Sequence, residues 1–288
     1  MVARPKPEIS AFLVALALCL FPASSQADNL DGYLPPEAEV VNLLELKKLE
    51  PALSNAAQNI RVDSHGRVTL MTSGTLFVMN NKDLTPVPLK SNGNLTSYAW
   101  TSGGALIGIK GKKLGFPGPD GFAETIDLPD QEMQLVSGTE NRLYLYGGKS
   151  RGQRLHLYLL AKNQGLSHLA EMPYPITAVA GTGEQTFVAV GRSILFMAPN
   201  QPLSLVYRPR FEVTTLAYAP PHGLFYATEE SVGFVSKPGT GFTFMKEKGV
   251  IPMVSGDDLF LVVPRKNVLK ISPIGAFADM AEKLAEDR

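Results

Sequence analysis

From Ile60 onward, short apolar runs alternate with clusters of Gly, Pro, Asn, Asp and Ser, and the alternation repeats. Similar units begin at Ile60, Leu95, Met133, Ile176, Val213 and Ile251, a period of about 40 residues. Each opens with a short strand that ends in a Gly, Asn or Asp turn. A second strand follows, as in Leu143-Tyr144-Leu145-Tyr146 or Leu259-Phe260-Leu261-Val262-Val263. A polar turn leads to a third strand such as Ser193–Phe196. A Pro/Gly/Asn-rich loop then gives a fourth, such as Leu203–Val206 or Phe242–Met245. Runs of this length, rich in β-branched and aromatic residues and punctuated by turn chemistry, predict four-stranded antiparallel meanders. Several second strands are apolar on consecutive residues, so both of their faces are covered, as when sheets stack face to face around an axis.

The sixth unit stops at Ile271-Ser272-Pro273 after three strands. An unfinished sheet would leave an open edge, which proteins avoid. Glu39-Val40-Val41-Asn42-Leu43-Leu44-Glu45-Leu46 is placed to supply the missing strand and close the ring. The alternative for this stretch is a short helix through Leu43–Leu49, ended by Pro51. After residue 275, Phe277, Met280, Ala281 and Leu284 fall at helical spacing and predict a terminal helix packed on the ring. This grammar resembles that of six-bladed β-propellers of the NHL-repeat, TolB-like and lactonase-like kinds over residues 60–273. The expected fold is therefore all-β: a six-bladed propeller over 60–275, preceded by a closing strand within 28–59 and followed by a short helix over 276–288.

The first 27 residues have a different pattern. Arg4 and Lys6 precede an apolar run from Ala11 to Phe21, then small residues ending Ser25-Gln26-Ala27. A basic start, a short apolar stretch and small residues before a cut are the marks of a secretory leader, with cleavage expected after Ala27. The run is too short for a permanent span, and no later run approaches the required length. The single cysteine, Cys19, lies inside the leader. The mature chain would carry no thiol and no disulfide, so its stability must come from its core. The expected location is outside the cytoplasm, in a periplasm or the extracellular space.

Composition agrees with a turn-rich β protein: 26 Gly, 22 Pro and only 19% charged residues. Lys plus Arg number 27 and Asp plus Glu 27, a balance that argues against a nucleic-acid partner. Catalytic motifs fail on inspection. Gly147-Gly148-Lys149-Ser150 ends like a phosphate loop, but Leu143 stands where the first glycine is required, and strand leads to strand. Gly148-Lys149-Ser150-Arg151-Gly152 matches G-x-S-x-G, but it lies in the same strand-to-strand segment and not in the strand-to-helix turn of a nucleophile elbow. His65, His156, His168 and His222 lack metal-ligand spacing. The resemblance to lactonase-like propellers implies a metal in the channel. Here the inner strands offer Asp63, Ser97, Gln134, Thr177, Thr215 and Ser255, a poor donor set for a hard cation. No catalytic residue, metal or cofactor is assigned.

One asymmetry remains. In a propeller, the turns between second and third strands share a face with the interblade connections. In those segments basic residues outnumber acidic ones, and they include Lys112, Lys149, Arg151, Arg192, Arg208, Arg210, Arg265 and Lys266. Tyr174, Tyr207 and Phe211 fall in the same segments, and Tyr with Arg is the typical anchor pair of recognition surfaces. The sequence therefore points to a non-catalytic binding or scaffold module whose basic face engages an acidic protein surface or an anionic envelope component. A channel-sited hydrolytic propeller and a structural subunit of an envelope assembly are the alternatives.

Overall fold

The computed structural model describes residues 34–49, 51–56, 59–72, 75–80, 83–87, 89, 95–138, 142–161, 164–182 and 184–287. The expected leader and Cys19 lie outside the described residues. Twenty-four strands form six four-stranded antiparallel sheets among the described residues.

β1 (Glu39–Glu45) comes first in the chain but belongs to the last sheet. It is followed by a 3-10 turn and the short helix α1 (Pro51–Asn55). Blade 1 is β2 (Ile60–Val62), β3 (Val68–Thr72), β4 (Thr75–Asn80) and β5 (Asp83–Val87). Blade 2 is β6 (Ser97–Trp100), β7 (Leu106–Lys110), β8 (Lys113–Gly118) and β9 (Gly121–Asp127). Blade 3 is β10 (Met133–Ser137), β11 (Leu143–Gly147), β12 (His156–Ala161) and β13 (Gly165–Glu171). Blade 4 is β14 (Ile176–Gly181), β15 (Thr186–Val190), β16 (Ser193–Met197) and β17 (Ser204–Tyr207). Blade 5 is β18 (Val213–Ala219), β19 (Gly223–Thr228), β20 (Val232–Lys237) and β21 (Thr240–Met245). Blade 6 is β22 (Ile251–Ser255), β23 (Asp258–Val263) and β24 (Asn267–Ser272), completed by β1; helix α2 (Gly275–Glu286) follows.

The fourth position of blade 6 is thus taken by the N-terminal strand, with Glu39 opposite Ser272 and Glu45 opposite Asn267. The strand reading holds through Glu45, and the helical tendency of this stretch is confined to the 3-10 turn Leu46–Lys48. Leu46, fully buried, and Leu44 anchor the segment on Val262 and Val268.

The first strands of neighbouring blades pack on one another all the way round, β2 on β6, β6 on β10 and finally β22 on β2. Among the described residues no strand ladder crosses between blades, so the seams are held by packing, side chains and single backbone bonds such as that from the Gly239 N–H to the Val206 carbonyl (2.8 Å). Ser97 Oγ accepts from the Leu135 N–H (3.0 Å), and Ser255 Oγ donates to the Asp63 carbonyl (3.0 Å), tying blade 6 to blade 1. The second strands sit between two sheets, which explains their unbroken apolar runs: Leu259 through Val263 and Leu224 through Ala227 are all buried. At the seam of blades 5 and 6, Phe225, Phe234 and Phe244 meet Phe277 of α2 and Phe242 packs on Phe234 and Phe244, with contacting ring centroids between 4.8 and 6.4 Å apart. No helix of the described residues is long and apolar enough to cross a membrane.

Candidate functional site

The sharing of one face by two kinds of loop is visible in the backbone. The Leu128 N–H donates to the Lys112 carbonyl (2.8 Å), Lys149 N–H to Gln131 (3.0 Å) and Val213 N–H to Gly191 (2.9 Å). Each bond joins a turn between second and third strands to the connection leaving that blade or the one before it.

Charge on this face is unevenly free. Lys149 faces Glu132 at 3.9 Å, Lys248 faces Glu230 at 2.9 Å, and Lys266 is hydrogen-bonded to Glu247. These pairs cancel most of their own field. Lys112 is exposed beside Asp130, and Arg151 and Arg265 are exposed in the turns of blades 3 and 6. Around blade 4 the arrangement differs. Arg192, in the β15–β16 turn, donates from Nη1 to the Arg210 carbonyl (3.1 Å), and the Arg210 guanidinium lies 5.4 Å above the Phe211 ring. Phe211 is 38% exposed, and Tyr174, in the connection entering blade 4, is 61% exposed. Arg208 is half-buried. Among the described residues no carboxylate forms an ion pair with Arg192, Arg208 or Arg210.

Tyr207 does not belong to this surface. The β17 strand runs through Tyr207, and its ring packs 5.6 Å from that of Tyr226 in the seam of blades 4 and 5. Gly241 lies against it; a Cβ there would come within 3.0 Å of the Tyr207 ring. The sequence run Tyr-Arg-Pro-Arg-Phe reads as one loop, but its first residue is core.

The glycine-rich Gly147–Ser150 segment does cradle an anion, one supplied by the chain itself. Asp130 Oδ2 accepts the Ser150 N–H (2.7 Å) and Oδ1 the Gln131 N–H (2.8 Å). Gly147 and Gly148 have φ of +79° and +121°, and a Cβ on Gly148 would lie 2.6 Å from Asp130 Oδ2. The Ser150 N–H, foremost, holds the Asp130 carboxyl below the usual range.

Inside the inner ring lies a cavity of about 450 Å³ lined by residues from all six blades. Of the inner-strand polar residues, Gln134, Thr215, Ser255 and Asp63 line it, whereas Ser97 is buried against Leu135 and Thr177 donates to the Ala189 carbonyl (3.3 Å). Asp63 is fully engaged: Oδ1 accepts the N–H groups of His65 and Arg67, both at 2.9 Å, and Oδ2 accepts Arg67 Nε at 2.6 Å. No cluster of three or more metal-binding side chains occurs among the described residues. A divalent cation wants several charged oxygens, and this wall does not supply them.

Sequence reading missed Arg61, Trp100, Tyr146 and Tyr218 on the same wall. The Arg61 guanidinium lies 5.6 Å above the Tyr98 ring, and its Nη1 donates to the Ile60 carbonyl (2.7 Å). Burial pushes Tyr146 up to about 12, with the Arg61 charge partly opposing it. Tyr218 donates to Gln185 Oε1 (2.5 Å). The missed signal was the alternation Ile60-Arg61-Val62, in which Ile60 is fully buried and Arg61 points to the other side.

The fold is that of the six-bladed β-propellers. Solved structures with the same architecture include virginiamycin B lyase from Staphylococcus aureus. It is 10% identical with a TM-score of 0.53, covering 74% of this chain and 79% of that one. A catalytically inactive form of that lyase with quinupristin aligns at 11% identity and a TM-score of 0.54, over 82% of this chain and 99% of that one. A candidate gluconolactonase aligns at 11% identity and a TM-score of 0.55, over 83% and 93%. Likeness at this identity shows the fold alone. No family model and no curated protein matches the sequence.

Proposed function

We propose that this propeller is an exported, non-catalytic binding module that docks an acidic protein surface on the rim of blade 4. The observation that carries the reading is the cluster of Arg192, Arg210 and Phe211. One guanidinium braces the backbone of the second, and the second lies on an exposed aromatic ring. Tyr174 flanks the same blade as a further anchor, and Arg208 adds charge beside it. Arginine and aromatic side chains held in place lose little freedom on binding and dominate the energetics of protein interfaces. Elsewhere on the face, Lys112, Arg151 and Arg265 supply steering at long range, whereas Lys149 and Lys266 are paired with Glu132 and Glu247.

The test is photo-crosslinking from a benzoylphenylalanine at position 174 in the native host, compared with the same probe at Ser102. The expected result is one discrete acidic partner captured from position 174 and lost in the Arg192→Glu/Arg210→Glu variant. Identical adducts from both positions, or adducts unaffected by charge reversal, overturn the reading. Affinity for the captured partner should fall with salt. The exported state is checked by sequencing the mature N-terminus, expected to begin at Asp28.

A further inference from the structure

We infer that His156 and His168, on the outer edge of blade 3, form a chelating site for a divalent transition-metal ion, Cu²⁺ above all. The two histidines are 12 residues apart in the chain, so no short ligand spacing announces them. Pairing of β12 with β13 brings Nδ1 of His156 to 3.0 Å from Nε2 of His168. Among the described residues neither imidazole has a hydrogen-bond partner besides the other. His156 is half-buried and His168 exposed, so an ion reaches them directly from solvent.

A fault in the strand register produces the meeting. Leu157 pairs with Ala170 and Tyr158 with His168, which leaves Leu169 as the extra residue of a bulge. In an unbroken ladder His168 would stand opposite Leu159 and point to the other face of the sheet. The bulge turns it to the face of His156 and Tyr158, a common use of bulges at sheet edges. Tyr158 braces both imidazoles, with ring centroids 5.4 Å from His168 and 6.3 Å from His156. Its own hydroxyl is tied to Gln153 Oε1 (2.8 Å). Glu171, opposite His156 in the register, adds negative charge to the same face.

The bite of the pair selects the ion. Two nitrogens bound at about 2.0–2.1 Å stand about 2.9 Å apart at adjacent corners of a square, and about 3.4 Å apart in a tetrahedron. The observed 3.0 Å fits the square, which is the geometry of Cu²⁺ and Ni²⁺, and Cu²⁺ heads the affinity order of nitrogen sites. No third His, Cys, Asp or Glu completes the site among the described residues, so water fills the other positions. Mg²⁺ and Ca²⁺, which require oxygen ligands, are rejected. A bound ion would pin β13, the outermost strand of its sheet, to β12.

The untagged chain carrying Cys19→Ser, which removes a competing thiol, is titrated with Cu²⁺ and the bound copper is read by electron paramagnetic resonance. The expected result is one equivalent bound at micromolar concentration, with splitting from two imidazole nitrogens and no displacement by a roughly hundredfold excess of Mg²⁺. His156→Gln and His168→Gln should each weaken binding about tenfold or more and leave one nitrogen in the spectrum. Both variants should unfold at the unsubstituted midpoint without metal, which separates a lost ligand from a lost fold. His65→Gln/His222→Gln should leave the titration unchanged. No saturable Cu²⁺ binding up to about 100 μM, or affinity and nitrogen splitting that survive both single substitutions, overturns the inference.

Discussion

Two seams of the ring are built on opposite principles. Between blades 5 and 6, Phe225, Phe234 and Phe244 close on Phe277 of α2 with Phe242 packed behind them, all five fully buried and without a polar atom among them. Between blades 1 and 2, the Thr69 hydroxyl donates to the Arg61 carbonyl (3.1 Å) and accepts the Trp100 indole N–H (3.0 Å), while Tyr98 donates to the Asn59 carbonyl (2.6 Å). The first seam faces the outer helix; the second abuts the channel, and Arg61 and Trp100 belong to both seam and wall. Apolar packing is non-directional and supplies bulk stability. A hydrogen-bonded seam fixes orientation instead, which a wall that presents a guanidinium and an indole requires.

The sharpest way to break this contrast is Phe277→Ala. It removes the residue on which three other rings converge, and cavity formation predicts a loss of about 3–5 kcal/mol in denaturant unfolding, with α2 detached from the ring. Next comes Asp130→Asn, which replaces a charge-assisted acceptor of backbone N–H groups in the blade 3 turn and should cost about 1.5–3 kcal/mol at neutral pH. Because the folded carboxyl is held below its ordinary value, the native contribution is complete above the unfolded value of about 3.9 and is lost as pH falls through the folded one. The stability difference between the native chain and Asp130→Asn should therefore shrink as unfolding is followed from pH 7 down to about 3.

Thr69→Val tests the polar seam at constant shape. It leaves the buried Trp100 N–H without its acceptor, for an expected cost of about 1–2 kcal/mol and a shift in Trp100 emission. The smallest effect belongs to Lys237→Ala. Its ion pair with Glu282 joins β20 to α2 at 2.8 Å, yet both side chains are largely in solvent, so the unfolding midpoint should not move measurably. A shift comparable to that of Phe277→Ala would show that charge, and not the phenylalanine cluster, holds the helix.

Much of this architecture was legible because blade grammar is local. Leu143–Tyr146 and Leu259–Val263 read as two-sided strands because they are sandwiched between sheets. The closing strand was legible from a deficit, since a unit ending at Pro273 lacked its fourth member. Side-chain destinations were less legible. Tyr207 reads as the first residue of the Tyr-Arg-Pro-Arg-Phe loop, because the contact that decides its place, the ring of Tyr226 across the seam, is remote in sequence. Arg61 is hidden for the converse reason. A polar residue in an alternating strand looks solvent-facing, and in a ring the solvent on the inner side is enclosed. Which lysines of the basic face are neutralised was equally hidden, because Lys248 finds Glu230, and Lys266 finds Glu247, only once neighbouring turns are brought together.

The pairing of β1 with β24 joins Glu39 to Ser272, segments at opposite ends of the described chain. Every other strand pair within a blade forms between neighbours in sequence, so each can zip as soon as its hairpin exists. This one must wait until all the intervening blades have collapsed, because the entropy of bringing such distant segments together is recovered only by a compact ring. The clasp is therefore the strand pairing with the largest closure cost in the ring, and until it engages, the outer edge of β24 stays open to pairing with another molecule.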